Sequence, residues 1–256
     1  MKKIGLRQIV NLLAVILTVV VNGLANALPI NGVTTGEVSD SFPVYFVPAG
    51  YVFSIWGVIY LGLLAFTIYQ LLPAQRENLR LERIGWWFAV GCLANAAWIF
   101  FWHYGIFPVT LVLMLVLLVS LLTIYLRLDI GRTWVSRAEK WLVEVPFSIY
   151  LGWITVATVA NATDVLYDLG WNGAPLSPQL WTVIMLVIAA ALAVAMSLTR
   201  RDIAYVLVIV WAFVGIAVKQ AATPLVAWAA WILAGVALVG LGIGVLRSPW
   251  VSPAKR

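Results

Sequence analysis

"PAGYVFSIWGVIYLG", residues 48–62, is the stretch on which the reading of this chain turns. It opens an apolar run long enough to cross a bilayer, yet Tyr51, Phe53, Trp56 and Tyr60 place aromatic rings along it. On a helix turning about 100° per residue, Gly50, Ser54 and Gly57 share one face, and Phe53, Trp56 and Tyr60 share the next. Small residues let another helix approach closely, so the first face is expected to dock and the second to present rings. An interfacial aromatic belt accounts for rings at the end of a span. Trp56 and Tyr60 lie about two and three turns inside it, where a belt has no use for them.

The rest of the chain fits a membrane setting. Apolar residues make up 64% of it and charged residues 10%, where a soluble domain carries about a quarter charged. Apolar segments of about 20 residues recur, the length that crosses a hydrocarbon core about 30 Å thick. An all-α polytopic membrane protein is predicted, with spans near 7–28, 49–73, 83–103, 107–128, 141–163, 180–199, 203–219 and 224–246. The turn "TRRD", Thr199–Asp202, divides the sixth span from the seventh, because arginines and an aspartate are costly at mid-bilayer.

Charge supplies an orientation. Lys2, Lys3 and Arg7 precede the first span, and Arg76, Arg80, Arg83, Arg127, Arg132, Arg137, Lys140, Arg200, Arg201, Arg247, Lys255 and Arg256 all fall on the same side of an eight-span path. Lys219 alone falls on the other. The asymmetry predicts a multi-pass cell-membrane protein with both termini cytoplasmic. The net charge of +6 follows from this rule and from anionic lipid in the inner leaflet, so no nucleic-acid partner is expected. The first span also has the basic start, apolar centre and Ala25-x-Ala27 ending of a secretory signal; its helix-like length favours retention. Cys92 and His103 are each the sole residue of their type, and no metal-binding, phosphate-loop or nucleophile-elbow motif occurs. No metal site and no catalytic residue is therefore expected.

Two other spans resemble the opening stretch in composition. "WWFAVGCLANAAWIFFW", residues 86–102, aligns Trp87, Gly91, Asn95, Trp98 and Trp102, and "PFSIYLGWITVATVAN", residues 146–161, aligns Tyr150, Trp153, Ala157 and Asn161. An amide inside a bilayer must find a partner. Interhelical bonding worth about 1 kcal/mol is the ordinary role of such an Asn, but tryptophan flanks both Asn95 and Asn161. Alternating span directions bring the three clusters to similar depth in the outer half. An apolar aromatic cavity with a few polar groups suits a flat hydrophobic molecule, and the long loop from Pro29 to Val47, which falls on the same side, is expected to serve as a lid.

These residues resemble the TspO/MBR family, the tryptophan-rich sensory and translocator proteins. Its second-span pattern, P-P-x-W-x-F-x-x-V-W-x-x-L-Y, is met by Pro48, Gly50, Tyr51, Phe53, Trp56 and Tyr60. Asn95, Trp98, Phe100 and Phe101 match its third span, and Pro146, Phe147, Trp153, Ala157, Thr158 and Asn161 its fifth. The double proline is here Pro48-Ala49, Tyr51 replaces tryptophan, and Phe53 lies one residue closer to Trp56. The resemblance covers about residues 1–165. It implies a five-helix bundle, often dimeric, that binds tetrapyrroles, sterol-like molecules or synthetic aromatic ligands. It makes Phe53, Trp56, Asn95, Trp98, Trp153, Ala157 and Asn161 pocket candidates, to which the aromatic stripes add Tyr60 and Tyr150. After the fifth span "DVLYDLGW" offers acids where a sterol-contact pattern needs a base, so sterol recognition is not expected. Residues 166–256 form an additional three-helix unit, expected to act as a scaffold through Gly235, Gly240, Gly242 and Gly244; Trp211 and Lys219 are its residues best placed to reach a ligand.

Three functions follow. The first is a receptor or carrier for a hydrophobic aromatic ligand, with a bound tetrapyrrole as the only cofactor-like group implied. The second is an ion-coupled transporter using the additional spans and Glu144, a candidate proton or ion site unless it snorkels to the interface or pairs with Arg137 or Lys140. The third is a pigment-modifying enzyme, for which the sequence offers no catalytic constellation. Lys219 is expected to snorkel to the interface or to pair with Glu37, Asp40, Asp164 or Asp168.

Overall fold

The computed structural model describes residues 3–28 and 30–247; Lys2, Pro29, Lys255 and Arg256, named above, lie outside these. Each predicted span is a helix: α1 Leu6–Ala27, α2 Ile55–Leu71, α3 Trp87–His103, α4 Phe107–Arg127, α5 Val145–Asp168, α6 Pro178–Arg200, α7 Ile203–Lys219 and α8 Pro224–Leu246. No strand occurs among the described residues. With their flanking turns, 6 of these helices are long and apolar enough to cross a membrane. The other two, α3 and α7, have 17 residues each. At about 1.5 Å per residue they reach about 26 Å, close to the hydrocarbon thickness of about 30 Å. The chain is a polytopic helical membrane protein.

Local chemistry sets the helix ends. Prolines sit in the first turns of α4, α6 and α8, where the missing N–H has no helical partner to lose. The Ser177 hydroxyl accepts from the Leu180 N–H, and Asp202 Oδ1 from the Tyr205 N–H, capping α6 and α7. Ahead of Pro146 the ladder widens into a π turn, Lys140–Glu144, in which the Val145 N–H reaches the Lys140 carbonyl. Proline cannot continue an ordinary ladder, and the wider turn absorbs the mismatch.

The opening stretch differs from its sequence reading. Gly50–Ser54 is a 3₁₀ turn, and the α-helix begins at Ile55. The tighter winding breaks the register that would have joined Gly50, Ser54 and Gly57 into a docking face. All three are exposed, and a Cβ at Gly50 or Gly57 would meet nothing within 4 Å. Close approach occurs further along, where a Cβ on Gly62 would lie 3.1 Å from the Pro146 side chain.

Among the described residues, buried side chains from α1 through α8 form one continuous core. α1 packs on α2 and α3, α3 on α4, and both α4 and α2 on α5. Phe66, Phe88 and Phe147 meet within it, with Phe66 and Phe147 centroids 4.9 Å apart. α6 and α8 pair closely and both lean on α7, which packs against α5 and the Gly50–Ser54 turn. Of the glycines expected to bring α8 close to a neighbour, Gly240 approaches Val194 and Gly244 the Ser197 carbonyl, while Gly235 and Gly242 face open space.

Polar clamps close one end of the bundle. Arg80 donates to Glu139 at 2.6 Å, to Glu144 at 2.7 Å and to the Leu128 carbonyl. Arg7 donates to the Glu82 carbonyl and Arg127 to the Arg83 carbonyl. The TRRD turn plugs into the same end. Arg200 bonds Asp129 at 2.6 Å, and Asp202 Oδ2 accepts from Tyr125 at 2.8 Å and Ser148 at 2.6 Å. Gly131 permits this seat: its φ is +79° and a Cβ would collide with the Arg200 carbonyl.

Gly57 and Gly215 give opposite expectations. Gly57→Ala should hold or slightly raise thermal stability in detergent, since alanine favours a helix by about 0.5–1 kcal/mol. Gly215→Ala should lower it, because its Cβ would run into Val52 and Pro48. Equal melting temperatures for the two variants would refute the packing of α7 on the Gly50–Ser54 turn.

Candidate functional site

Three buried side chains tie α1, α3 and α5 together. Asn22 Nδ2 donates to Asn95 Oδ1 at 2.8 Å, and Asn95 Nδ2 donates to the Tyr150 hydroxyl at 2.9 Å. Thr18, one turn before Asn22, bonds the Cys92 carbonyl at 2.9 Å. About one turn further along α3, the Trp98 indole N–H reaches Asn161 Oδ1 at 3.3 Å, and Asn161 donates to Thr110 at 2.8 Å. Both predicted amides therefore hold helices together.

Beside this network lies a cavity of about 200 Å³, lined by Asn22, Asn26, Thr35, Gly36, Phe53, Trp56, Tyr60, Trp98 and Ile99. α1 supplies the two amides, and α2 with the turn before it supplies Phe53, Trp56 and Tyr60. Trp56 and Tyr60 stack at 5.5 Å, and Trp98 stacks on Trp102 at 5.0 Å.

A short helix, Thr35–Asp40, covers the cavity. The Trp102 indole donates to the Thr35 carbonyl at 3.2 Å, and the His103 ring lies 3.0 Å from the Thr35 hydroxyl. Lys219, at the end of α7, bonds Asp40 at 2.6 Å. Phe42 packs edge-on to Phe107 at 4.9 Å and stacks on Trp102. At the start of this helix the Thr34 N–H and hydroxyl both donate to Glu37, at 2.6 and 2.8 Å. These bonds hold the Glu37 carboxyl below the ordinary glutamate range. The end of the loop is held by α7: the Trp211 indole donates to the Val52 carbonyl at 3.2 Å, and the Ala49 N–H to the Gly215 carbonyl at 3.1 Å.

The structure divides the residues predicted for the site. Phe53, Trp56, Tyr60 and Trp98 line the cavity. Asn95, Tyr150, Trp153 and Asn161 stand behind it. Trp153 is 2% exposed, meets Phe53 and Trp56 edge-on at 5.8 and 6.0 Å, and has no hydrogen-bond partner for its N–H among the described residues. Ala157 is half-buried on the same face of α5. Glu144 lies at the opposite end of the bundle, paired with Arg80 from another loop. Asp164 is buried, and its Oδ1 meets no donor among the described residues.

Asn22, Asn26, Thr35 and Gly36 line the cavity without having been singled out. The first two were legible. They lie four residues apart in an apolar span, where the cost of an unpaired amide applies as it does to Asn95. The lid residues carry no such signal, since a threonine and a glycine in a loop are ordinary.

A family model described as TSPO-like protein matches residues 8–243, so the match continues past residue 165 through the C-terminal helices. No curated protein and no solved structure matches the chain.

The capped lid should respond to acid. A carboxyl held below its unfolded range adds stability that is complete above that range and is lost as pH falls through the lowered value. The protection of the Thr35–Asp40 amides, exchange being compared with the intrinsic rate at each pH, should therefore fall only below the ordinary glutamate range. Glu37→Gln should abolish that dependence, and a profile unchanged by the substitution would refute it.

Proposed function

Because this chain belongs to the TSPO-like protein family, we propose that it is an integral membrane receptor or carrier that binds a hydrophobic aromatic small molecule beneath the Thr35–Asp40 lid. The observation that carries the reading is the cavity itself: four aromatic residues, Phe53, Trp56, Tyr60 and Trp98, converge with two amides under a cover tied down at several points. Such a mixture of rings and a few placed polar groups is what small-molecule sites use. The tetrapyrrole-like ligand implied by the resemblance is larger than about 200 Å³ and would require the lid to swing away. On this reading Tyr150, Trp153, Ala157 and Asn161 support the walls, and the 166–256 unit is a scaffold that steadies the lid through Trp211 and Lys219.

Ion-coupled transport through Glu144 draws less support, because Arg80 already neutralises that carboxylate away from the cavity. Pigment modification would have to draw its chemistry from the tryptophans and light. The basic end, which gathers Arg7, Arg80, Arg127 and Arg200, is proposed to face the cytoplasm of a cell membrane. Dimers, where they form, would use the lipid-facing apolar helices.

Two probes test the binding: the tricycle carbazole and the tetrapyrrole protoporphyrin. Saturable quenching of tryptophan fluorescence is expected from at least one, with affinity falling at least tenfold in Trp56→Ala and Trp98→Ala. Affinity unchanged in both variants would remove the site from this cavity. Any coloured or fluorescent molecule that copurifies should be displaced by the same probe.

A further inference from the structure

The polar atoms on two walls of the cavity can be assigned from their partners. A backbone carbonyl only accepts, so the Asn22 atom 2.9 Å from the Thr18 carbonyl is Nδ2. The same nitrogen donates to Asn95 Oδ1 at 2.8 Å, which commits both amide hydrogens and leaves Oδ1 free. Asn26 Nδ2 donates to the Asn22 carbonyl at 2.9 Å, fixing the second amide in the same sense one turn on. At the lid, His103 Nδ1 lies 3.1 Å from the Ile30 carbonyl and so carries its hydrogen. In the neutral ring Nε2 then accepts, the Thr35 hydroxyl donates to it at 3.0 Å, and the Thr35 oxygen keeps a lone pair. Asn22, Asn26 and Thr35 thus each present an acceptor. The lining contains no Lys, Arg, Asp or Glu. The cavity, about 200 Å³, is smaller than the sites of about 300–1,000 Å³ that take drug-sized ligands.

We propose that this cavity selects a compact planar aromatic molecule, neutral or cationic, whose N–H or O–H edge faces Asn22 and Asn26, and that it discriminates against carboxylates. The proposal rests on the cavity being the ligand site and specifies what that site admits. A donor edge completes the Asn oxygens, whereas an isostere without the donor covers them and leaves them unpaired, which is the arrangement a polar site rejects most strongly. A carboxylate would meet acceptor oxygens with no cation to balance it in a water-poor setting. Stacking against Trp56, Tyr60 and Trp98 accommodates two or three fused rings. Asn22 and Asn26 are therefore specificity-determining residues on a helix to which the family resemblance assigned none.

Carbazole and dibenzofuran test this directly, having nearly the same shape but an N–H in one and an ether oxygen in the other. In tryptophan-fluorescence titrations of the full-length protein in detergent, carbazole should bind about tenfold more tightly, the ratio set by roughly one hydrogen bond. Protoporphyrin, a dicarboxylate, should bind more weakly than carbazole. Asn22→Leu and Asn26→Leu should bring carbazole down to the level of dibenzofuran. Trp98→Ala should weaken both tricycles alike. Should Asn22→Leu fail to fold, the wild-type ratio and Asn26→Leu still decide. Equal affinity of the two tricycles, or tighter binding of protoporphyrin, overturns the selection while leaving the ligand site in place. Saturation by none of the three overturns both.

Discussion

The hydrogen bond from Asn22 to Asn95, 2.8 Å long and buried between α1 and α3, is the interaction on which the cavity depends. Hydrocarbon offers an amide no water, so each amide within a bilayer has to be satisfied by protein. Asn95 meets that demand by accepting from α1 and donating to Tyr150 on α5. The bond therefore fixes the spacing of three helices at once. It also engages the amide nitrogen of Asn22 and leaves its oxygen uncommitted in a residue that lines the cavity, so one constraint serves both the wall and the chemistry proposed for it.

The C-terminal helices enter through the lid. α7 approaches the Gly50–Ser54 turn so closely that Gly215 admits no side chain, and Trp211 bonds the carbonyl next to Phe53. Lys219, at the end of the same helix, holds Asp40. The Asp40 end of the cover and the turn that follows the loop thus both contact α7, while α3 holds the Thr35 end and builds the wall beneath with α1. A ligand larger than the cavity must loosen the cover from α3, where Trp102 and His103 bond Thr35, and from α7. The Thr35–Asp40 helix has few buried side chains of its own, which makes it the part that local opening would release first.

At the basic end the same rule applies with charges. Arg80 is nearly buried and answers two carboxylates and a carbonyl; removing one partner would leave the others unbalanced, which is costly for buried ions. The TRRD turn behaves similarly. Its arginine bonds Asp129 and its aspartate accepts from Tyr125 and Ser148, so a segment that reads as a simple hairpin ties α6 and α7 to α4 and α5.

The sequence alone determined the class of protein, the eight helices and the aromatic stripes along them, because these depend on length, apolarity and spacing along single helices. Four of the residues it singled out, Phe53, Trp56, Tyr60 and Trp98, converge on one cavity. The tertiary structure decided which neighbours meet. Periodicity cannot tell that a 3₁₀ turn breaks the register before Ile55, that Gly62 rather than Gly57 makes the close approach, or that Glu144 pairs with Arg80 from another loop. Nor can it tell that Trp153 stands behind Phe53 while Asn22 faces the open space. A helix fixes the angle between its own side chains, but the direction each one faces is set by the packing of helices distant in sequence, here through the pairing of amides that the bilayer leaves no other way to satisfy.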